Sequence, residues 1–268
     1  MWFSLHGYIH DYAALDQYMK KEFQTVIQPD MEKYFFIRYW LGGPHVRLRF
    51  KCKEEDYTKI KQRFQQSITL FLKENVVNLI DYNHFYDKTM MEKEGISEVY
   101  WGTHGFVSEM DYKPEYERYG GKHLIEKSES VFCESSVLAN RLNHLERSKR
   151  MIVSLDLMYY SFQLGGFDPS AYSNYASLWV EYKRDGIYFS GESYFKKRLE
   201  QLVNSRMNIA NVYQPYFSSL QQNEIINEYE LLISHVHMTN NRIGVTPDIE
   251  YAIAQLIFKF LEGNQKNV

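Results

Sequence analysis

The chain has 268 residues, with 31 Lys and Arg against 34 Asp and Glu, and a formal net charge of −3. This length is enough for one large domain or two small ones, and the charge balance shows no basic excess of the kind that nucleic-acid binding requires. Two cysteines are too few for a disulfide framework and lack metal-site spacing. No stretch is apolar over the length of a membrane span, and the N-terminus lacks a signal peptide pattern, so we expect a cytoplasmic protein.

The first 86 residues are predicted to alternate between strands and helices. Alternation of polar and apolar residues indicates strands, and apolar residues at helical spacing indicate helices. In chain order we expect a strand at 2–10, a helix at 11–27 capped by Asp11, strands at 33–40 and 45–50, a helix at 54–74 and a strand at 76–86. This β-α-β-β-α-β order is the split ferredoxin-like pattern.

The remainder of the chain is predicted to be mostly helical. Residues 88–112 show no regular pattern, and helical spacing begins after the pair Gly120-Gly121. We expect helices at about 122–147, 149–164, 169–184, 194–220, 223–240 and 248–261, the last with Thr246 as its cap and Pro247 at its first position. The expected fold class is therefore α+β, with an N-terminal mixed β-sheet and its helices followed by a mostly helical part. We expect one domain over 1–268, with a subdivision into an α/β lobe at 1–110 and a helical lobe at 111–268.

The strand that follows the Gly-Gly-Pro turn carries three basic side chains in alternate positions. Strand alternation places His45, Arg47 and Arg49 on one face. Arg38 on the preceding strand is expected to join them. Planar guanidinium groups bind carboxylates through two hydrogen bonds each, so this face is predicted to bind an anion. The alternative is a solvated sheet face whose acidic partners come from elsewhere.

A second polar stretch precedes the glycine pair at 120–121. If the chain forms a helical turn there, Glu115 and Arg118 lie three residues apart and share a face. Arg118 would then lie beside two residues without side-chain bulk, where it is open to a ligand. The alternative is a local surface ion pair, which stabilises a protein little.

A third polar stretch covers residues 234–242 near the end of a predicted helix. His237 and Asn241 are one helical turn apart and face the same way, whereas His235 faces elsewhere. Histidine is the side chain best suited to move protons near neutral pH; the alternative is a structural histidine. The sequence contains no Gly-rich phosphate loop, HExxH, GxSxG or CxxC motif, so we expect neither a metal nor another cofactor.

Three motifs, taken in order, resemble a known family. The run FFIRYW…GGPHVRLRF, then YERYGG, then HMTNNR is similar to the C-terminal elimination domain of lanthipeptide dehydratases of the nisin type, and to the stand-alone thiopeptide biosynthesis proteins of that superfamily. The resemblance spans nearly the whole chain. It implies that a partner enzyme transfers glutamate from glutamyl-tRNA onto Ser or Thr of a precursor peptide. The elimination domain then removes glutamate and leaves dehydroalanine or dehydrobutyrine.

The resemblance also implies roles for individual residues. Matched motif by motif, it implies that elimination uses four catalytic residues, namely Arg47, Arg49, Arg118 and His237. We expect substrate-binding roles for Arg38, His45, Glu115, Asn241 and Arg242. The resemblance does not include the large glutamylation domain, so we expect the chain to be the small half of a split dehydratase. Its expected partners are the precursor peptide and a separate tRNA-dependent glutamylation subunit, with no direct contact to nucleic acid or membrane.

Two other functions remain open. The same superfamily contains pyridine synthases, which join two dehydroalanines in a formal [4+2] cycloaddition and expel the leader peptide. Their Arg and His motifs are eroded, whereas all three motifs are intact here, which favours elimination. The other alternative is a non-catalytic module that presents the precursor to partner enzymes, with its many tyrosines as the contact surface.

Overall fold

The computed structural model describes residues 1–86, 91–92, 98–183, 192–204 and 209–265. They belong to two units, an N-terminal unit, Met1–Pro114, and a C-terminal unit, Glu115–Val268. The first unit contains a four-stranded sheet and the second is helical, which confirms the predicted α+β class. Within the ranges just given, no helix is both long and apolar enough to cross a membrane.

The N-terminal unit has the predicted split ferredoxin-like sheet. Its elements are β1 (Phe3–Tyr8), α1 (Tyr12–Lys21), α2 (Phe23–Val26), β2 (Lys33–Tyr39), β3 (His45–Lys51), α3 (Glu54–Glu74) and β4 (Val107–Glu109). The strand order is β2-β3-β1-β4, and every neighbouring pair is antiparallel, so the sheet is antiparallel and the prediction of a mixed sheet is wrong. Asp11 caps α1 as predicted, because its carboxylate accepts hydrogen bonds from the backbone N–H groups of Ala13 and Ala14.

The last strand of this sheet does not lie where the sequence predicted it. Residues 76–86 form no strand; they include only a short 3₁₀ turn, Tyr82–His84. The apolar side chains there are not buried, since Val76 is 91% exposed. The backbone N–H of Ile80 donates to the carbonyl of His10 (2.9 Å) rather than to a strand ladder. The fourth strand is instead β4, inside the stretch predicted to be irregular.

The register of β1, β2 and β3 gives the sheet two distinct faces. One face carries Val46, Leu48 and Phe50, all fully buried, and α3 packs on it. We call this the helix-covered face. The opposite face carries the three basic residues of β3, together with Ser4 and His6, which pair with Arg49 and Arg47 in the antiparallel register. We call it the basic face.

Replacing Gly7 with alanine is expected to destabilise the N-terminal unit by about 1–3 kcal/mol, the usual range for an overpacked core. Gly7 lies on β1 under α3, and a Cβ atom there would lie 2.6 Å from both Ile68 Cδ1 and Phe64 Cζ. Urea unfolding of the variant would measure the change in the free energy of unfolding. An unchanged free energy of unfolding would show that α3 can shift away from β1 to make room for the methyl group without loss of stability.

The C-terminal unit consists of helices, as predicted, but three of them differ from the prediction. The described helices are α4 (Ile125–Leu142), α5 (Arg147–Leu164), α6 (Ser170–Ser177), α7 (Glu192–Asn204), α8 (Gln214–Gln222), α9 (Tyr229–Arg242) and α10 (Pro247–Gln265). The predicted helix at 169–184 ends at Ser177 and is followed by a 3₁₀ turn, and Arg184 lies outside the described residues. Pro247 occupies the first position of α10, as expected.

The predicted helix at 194–220 is two helices rather than one. Pro215 lies in the first turn of α8. Proline is compatible with a first turn but not with a helix interior, because it has no N–H to donate to the preceding turn. The helix predicted at 223–240 also begins later than expected, at Tyr229. Glu224 has a left-handed backbone conformation (φ +62°), and a 3₁₀ turn at Ile225–Asn227 precedes α9.

Candidate functional site

The Gly-Gly-Pro turn has a conformation that requires glycine. Gly42 and Gly43 have φ values of +94° and +89°, which side chains disfavour. A Cβ atom on Gly43 would also lie 2.5 Å from His10 Nε2. The turn is held from outside the sheet, because Gly42 N–H donates to the hydroxyl of Tyr86 (2.8 Å) and Gly102 N–H donates to the Gly42 carbonyl (2.8 Å).

His45 is fully buried at the start of β3 and contacts Arg47 directly. Its Nδ1 lies 2.7 Å from the Gly43 carbonyl, and its Nε2 lies 3.1 Å from Arg47 Nε. A carbonyl only accepts and a guanidinium only donates, so Nδ1 carries the proton and Nε2 accepts. Burial, with the charge of Arg47, lowers the pKa of His45 to about 3 and keeps it neutral. This geometry indicates that His45 positions Arg47.

Both arginines of β3 lie against aromatic rings. The Arg47 guanidinium carbon is 3.4 Å from the centroid of the Tyr39 ring, and that of Arg49 is 5.3 Å from the centroid of Tyr112. Stacking of this kind fixes a guanidinium plane without neutralising its charge. In the described part of the chain Arg47 contacts His45 and Tyr39, and no carboxylate. The cation therefore keeps its capacity to bind an anion.

The expectation that Arg38 lies beside these arginines is wrong. Arg38 is opposite Val46 in the register, which places it on the helix-covered face, whereas Ile37 is the residue opposite Arg47. The Arg38 guanidinium lies 2.6 Å from the carboxylate of Asp16 on α1. Alternation along β2 alone does not place Arg38, because the register between β2 and β3 decides which face of the sheet its side chain occupies.

Arg118 and Glu115 share a helical turn, as predicted. The backbone N–H of Tyr119 donates to the Glu115 carbonyl (3.2 Å), and the two charged side chains lie 3.5 Å apart. Both side chains are exposed, at 38% for Arg118 and 59% for Glu115, so the pair contributes little to stability. Gly120 and Gly121 have φ values of +75° and +88°. They terminate the turn after Tyr119, one residue beyond Arg118.

His237 on α9 is oriented by a buried carboxylate from α10. His237 Nδ1 lies 2.9 Å from Glu250 Oε1. The imidazole also packs on the indole of Trp179, with ring centroids 4.4 Å apart. A carboxylate only accepts hydrogen bonds, so Nδ1 carries the proton, and Nε2 is the nitrogen left for chemistry. His237 stays partly exposed, and His235 faces elsewhere, towards Ser128, as predicted.

The carboxylate of Glu250 is itself held by two further donors. Its Oε2 accepts hydrogen bonds from the Asn240 amide (3.0 Å) and from the hydroxyl of Tyr175. Burial, together with the charge of Glu250, raises the pKa of Tyr175 well above its usual range, so the phenol stays protonated and donates. Glu250 is fully buried. This network fixes the orientation of the His237 ring.

Sequence reasoning missed Glu250, although the sequence contains a signal for it. Glu250 lies one turn before Ile253 and Ala254 on α10, and both are fully buried. A carboxylate at the head of an apolar stripe is costly unless it is hydrogen-bonded. Its position therefore indicates a buried partner, but helical spacing alone does not say that the partner is His237.

Arg242 occupies a buried position between helices. It is 1% exposed, and its guanidinium donates to the hydroxyls of Ser136 (3.1 Å) and Ser135 (3.4 Å) on α4. Burial lowers the pKa of Arg242 to about 10, which leaves it charged at neutral pH. This placement indicates that Arg242 joins α9 to α4, in contrast to the substrate-binding role expected for it. Asn241 is partly exposed, and its substrate-binding role stays a prediction.

The described residues contain no group of three or more His, Cys, Asp and Glu side chains arranged to hold a metal ion. Neither Cys52 nor Cys133 forms a disulfide.

Comparison with known proteins places the chain among relatives from antibiotic peptide biosynthesis. The model of the family described as lantibiotic biosynthesis dehydratase C-term matches residues 2–261. The chain is 30% identical over 128 residues to the subtilin biosynthesis protein SpaB of Bacillus subtilis, covering 47% of this chain and 10% of SpaB. It is 23% identical over 273 residues to the epidermin biosynthesis protein EpiB of Staphylococcus epidermidis, covering 93% of this chain and 24% of EpiB. The chain therefore spans less than a quarter of either relative's length.

Three solved structures share the fold. The pyridine synthase TbtD from thiomuracin biosynthesis has a TM-score of 0.73 at 16% identity, over 100% of this chain and 99% of its own. TsrL has a TM-score of 0.64 at 13% identity, and the match covers 99% of this chain and 95% of TsrL. The tRNA-dependent lantibiotic dehydratase MibB from Microbispora sp. 107891 has a TM-score of 0.56 at 17% identity, over 99% of this chain and 28% of MibB. At these identities the likeness concerns the fold alone.

Proposed function

The chain belongs to the lantibiotic biosynthesis dehydratase C-terminal family, and from this premise we propose that it eliminates glutamate from glutamylated Ser or Thr of a ribosomally made precursor peptide. The products are dehydroalanine from Ser and dehydrobutyrine from Thr. The observation that carries the proposal is the His237–Glu250 pair, a partly exposed imidazole whose Nδ1 is held 2.9 Å from a buried carboxylate. Such a pair equips Nε2 of His237 for proton transfer.

The reaction requires a base and a place for negative charge. The α-proton of a peptide residue is a very weak acid, and its removal leaves the Cα–H bonding electrons in an enolate with negative charge on the adjacent carbonyl oxygen. These electrons then form the Cα=Cβ double bond as the Cβ–O bond breaks, and glutamate leaves as a carboxylate. We assign proton removal to Nε2 of His237, with Glu250 as its positioning residue.

The arginines are assigned to the two developing charges. Arg47 and Arg49 bind the glutamyl ester and its leaving carboxylate, and Arg118 stabilises the enolate oxygen. Preorganised donors of this kind lower a barrier by roughly 3–4 kcal/mol each. The stacking of Arg47 on Tyr39 and its hydrogen bond to His45 support this assignment, because they hold the guanidinium before substrate arrives.

The proposed reaction needs a glutamylated peptide as its substrate. Glutamate reaches the precursor through a separate tRNA-dependent glutamylation enzyme, which we propose as the partner of this chain in the cytoplasm. Relatives named for subtilin and epidermin biosynthesis support a precursor peptide as the substrate class. Because the chain matches only part of each relative, the division of labour with that partner is part of the proposal.

The proposal predicts loss of one glutamic acid for each glutamylated residue when the pure protein is incubated with a glutamylated precursor. Mass spectrometry measures this loss, and addition of a thiol to the new double bond confirms the alkene. A second incubation uses the fully dehydrated precursor. Ring formation with release of the leader would instead identify the alternative [4+2] cycloaddition. If neither peptide changes but both bind, the protein is a precursor-binding module.

A further inference from the structure

Two buried polar atoms lie on the basic face of the sheet without a protein partner. Ser4 and His6 on β1 are 5% and 4% exposed. Within the described residues, Ser4 Oγ and His6 Nδ1 have no hydrogen-bond partner. A buried polar atom costs stability unless a ligand or water satisfies it. Two unpaired polar atoms at neighbouring positions on the same face of the sheet indicate a binding site for a ligand.

The register brings these atoms next to the arginines. Ser4 is directly opposite Arg49, and His6 is directly opposite Arg47. Opposite residues of an antiparallel pair have their side chains on the same face, within about 4.5–5.5 Å of each other at Cβ. The His6 ring also stacks on His45, with centroids 5.0 Å apart and planes at 29°. A hydroxyl, an imidazole and two guanidiniums therefore share one area of the sheet.

The charges around His6 determine what this area binds. Burial, followed by the effects of His45, Arg47 and Arg49, lowers the pKa of His6 to about 2. The imidazole is therefore neutral and has one N–H to donate. The charged groups that contribute to this shift are the guanidiniums of Arg47 and Arg49. The ligand that fits such donors is an anion with several acceptor oxygens, as a carboxylate is.

We propose that Ser4 and His6 complete a carboxylate site with Arg47 and Arg49, and that this site selects the side-chain carboxylate of the glutamyl group. This inference rests on the proposed elimination, in which the α-carboxyl of glutamate is esterified and the side-chain carboxylate is free. Ser4 Oγ and His6 Nδ1 donate to that carboxylate. They thereby distinguish a glutamyl group from a glutaminyl group, whose amide cannot accept on both atoms.

The test is NMR titration of the full chain with L-glutamate and, separately, with L-glutamine. We expect the native protein to prefer glutamate, and Ser4→Ala and His6→Leu each to raise its Kd about tenfold, the equivalent of one lost hydrogen bond to a charged group. His6→Asn is expected to restore most of the affinity, because its amide can place a donor near the position of Nδ1. Ser67→Ala is the matched control, since Ser67 is a buried serine whose hydroxyl pairs with Tyr18.

The outcomes separate this inference from the proposed function. Loss of glutamate preference in Ser4→Ala and His6→Leu, but not in Ser67→Ala, supports the site whether or not any peptide is converted. If the native protein eliminates glutamate from a peptide while both β1 variants keep the native Kd and preference, the site is wrong and the elimination stands. Equal binding of glutamate and glutamine by the native protein also overturns the site.

Discussion

Replacing His237 with alanine is expected to lower the rate of glutamate elimination by about 10²–10⁴-fold, the usual contribution of a positioned general base. The variant loses the nitrogen that we assign to α-proton removal, while the arginines that bind the substrate are unchanged. The loss is therefore expected in kcat, with little change in KM. Single-turnover mass spectrometry of a glutamylated precursor measures the chemical step directly. Elimination at the native rate by His237→Ala would show that the base is another group.

Two further variants distinguish the proton-transfer role from a structural one. Glu250→Gln keeps the shape of the buried side chain but removes the charge that orients His237, so it is expected to lower kcat less than His237→Ala does. His144→Ala, at an exposed histidine in the same unit, is expected to leave the rate unchanged. If Glu250→Gln folds normally and has native kcat, the hydrogen bond between Glu250 and His237 does not contribute to catalysis.

Replacing Arg47 with alanine is expected to lower kcat/KM by about 10²–10³-fold, the range measured when one preorganised donor is removed from an oxyanion site. Arg47 is held by Tyr39 and His45 without an acidic contact in the described residues, so its charge is available to the substrate. Both the binding of the glutamyl group and the departure of its carboxylate lose a cation. Steady-state kinetics with the glutamylated precursor measures the change.

Arg38→Ala is the matched control for Arg47→Ala. Arg38 is also an arginine of the sheet, but it lies on the helix-covered face and pairs with Asp16. We expect its loss to cost up to about 1 kcal/mol of unfolding free energy and to leave elimination unchanged. Equal losses of activity in the two variants would show that elimination does not depend on which face of the sheet the arginine occupies. That result would contradict the substrate-binding role of Arg47.

The sequence alone was sufficient for features that depend on neighbours along the chain. Alternation in HVRLRF correctly placed His45, Arg47 and Arg49 together on one side of β3. The helical turn that joins Glu115 to Arg118, and the opposite directions of His235 and His237, also follow from local spacing. The three motifs together identified the family, which the match over residues 2–261 confirms. Local geometry determines these features, so they need no knowledge of what packs against them.

Only the tertiary structure decided features that depend on distant pairing. The register between β2 and β3 turned Arg38 away from Arg47. The fourth strand is at Val107–Glu109 because that segment forms hydrogen bonds with β1, although residues 76–86 look more like a strand. Glu250 reaches His237 only because α10 packs beside α9. In each case, local sequence preferences alone do not distinguish the alternative strand segments, sheet faces or side-chain partners. The hydrogen bonds and burial that select one alternative come from residues distant in the sequence.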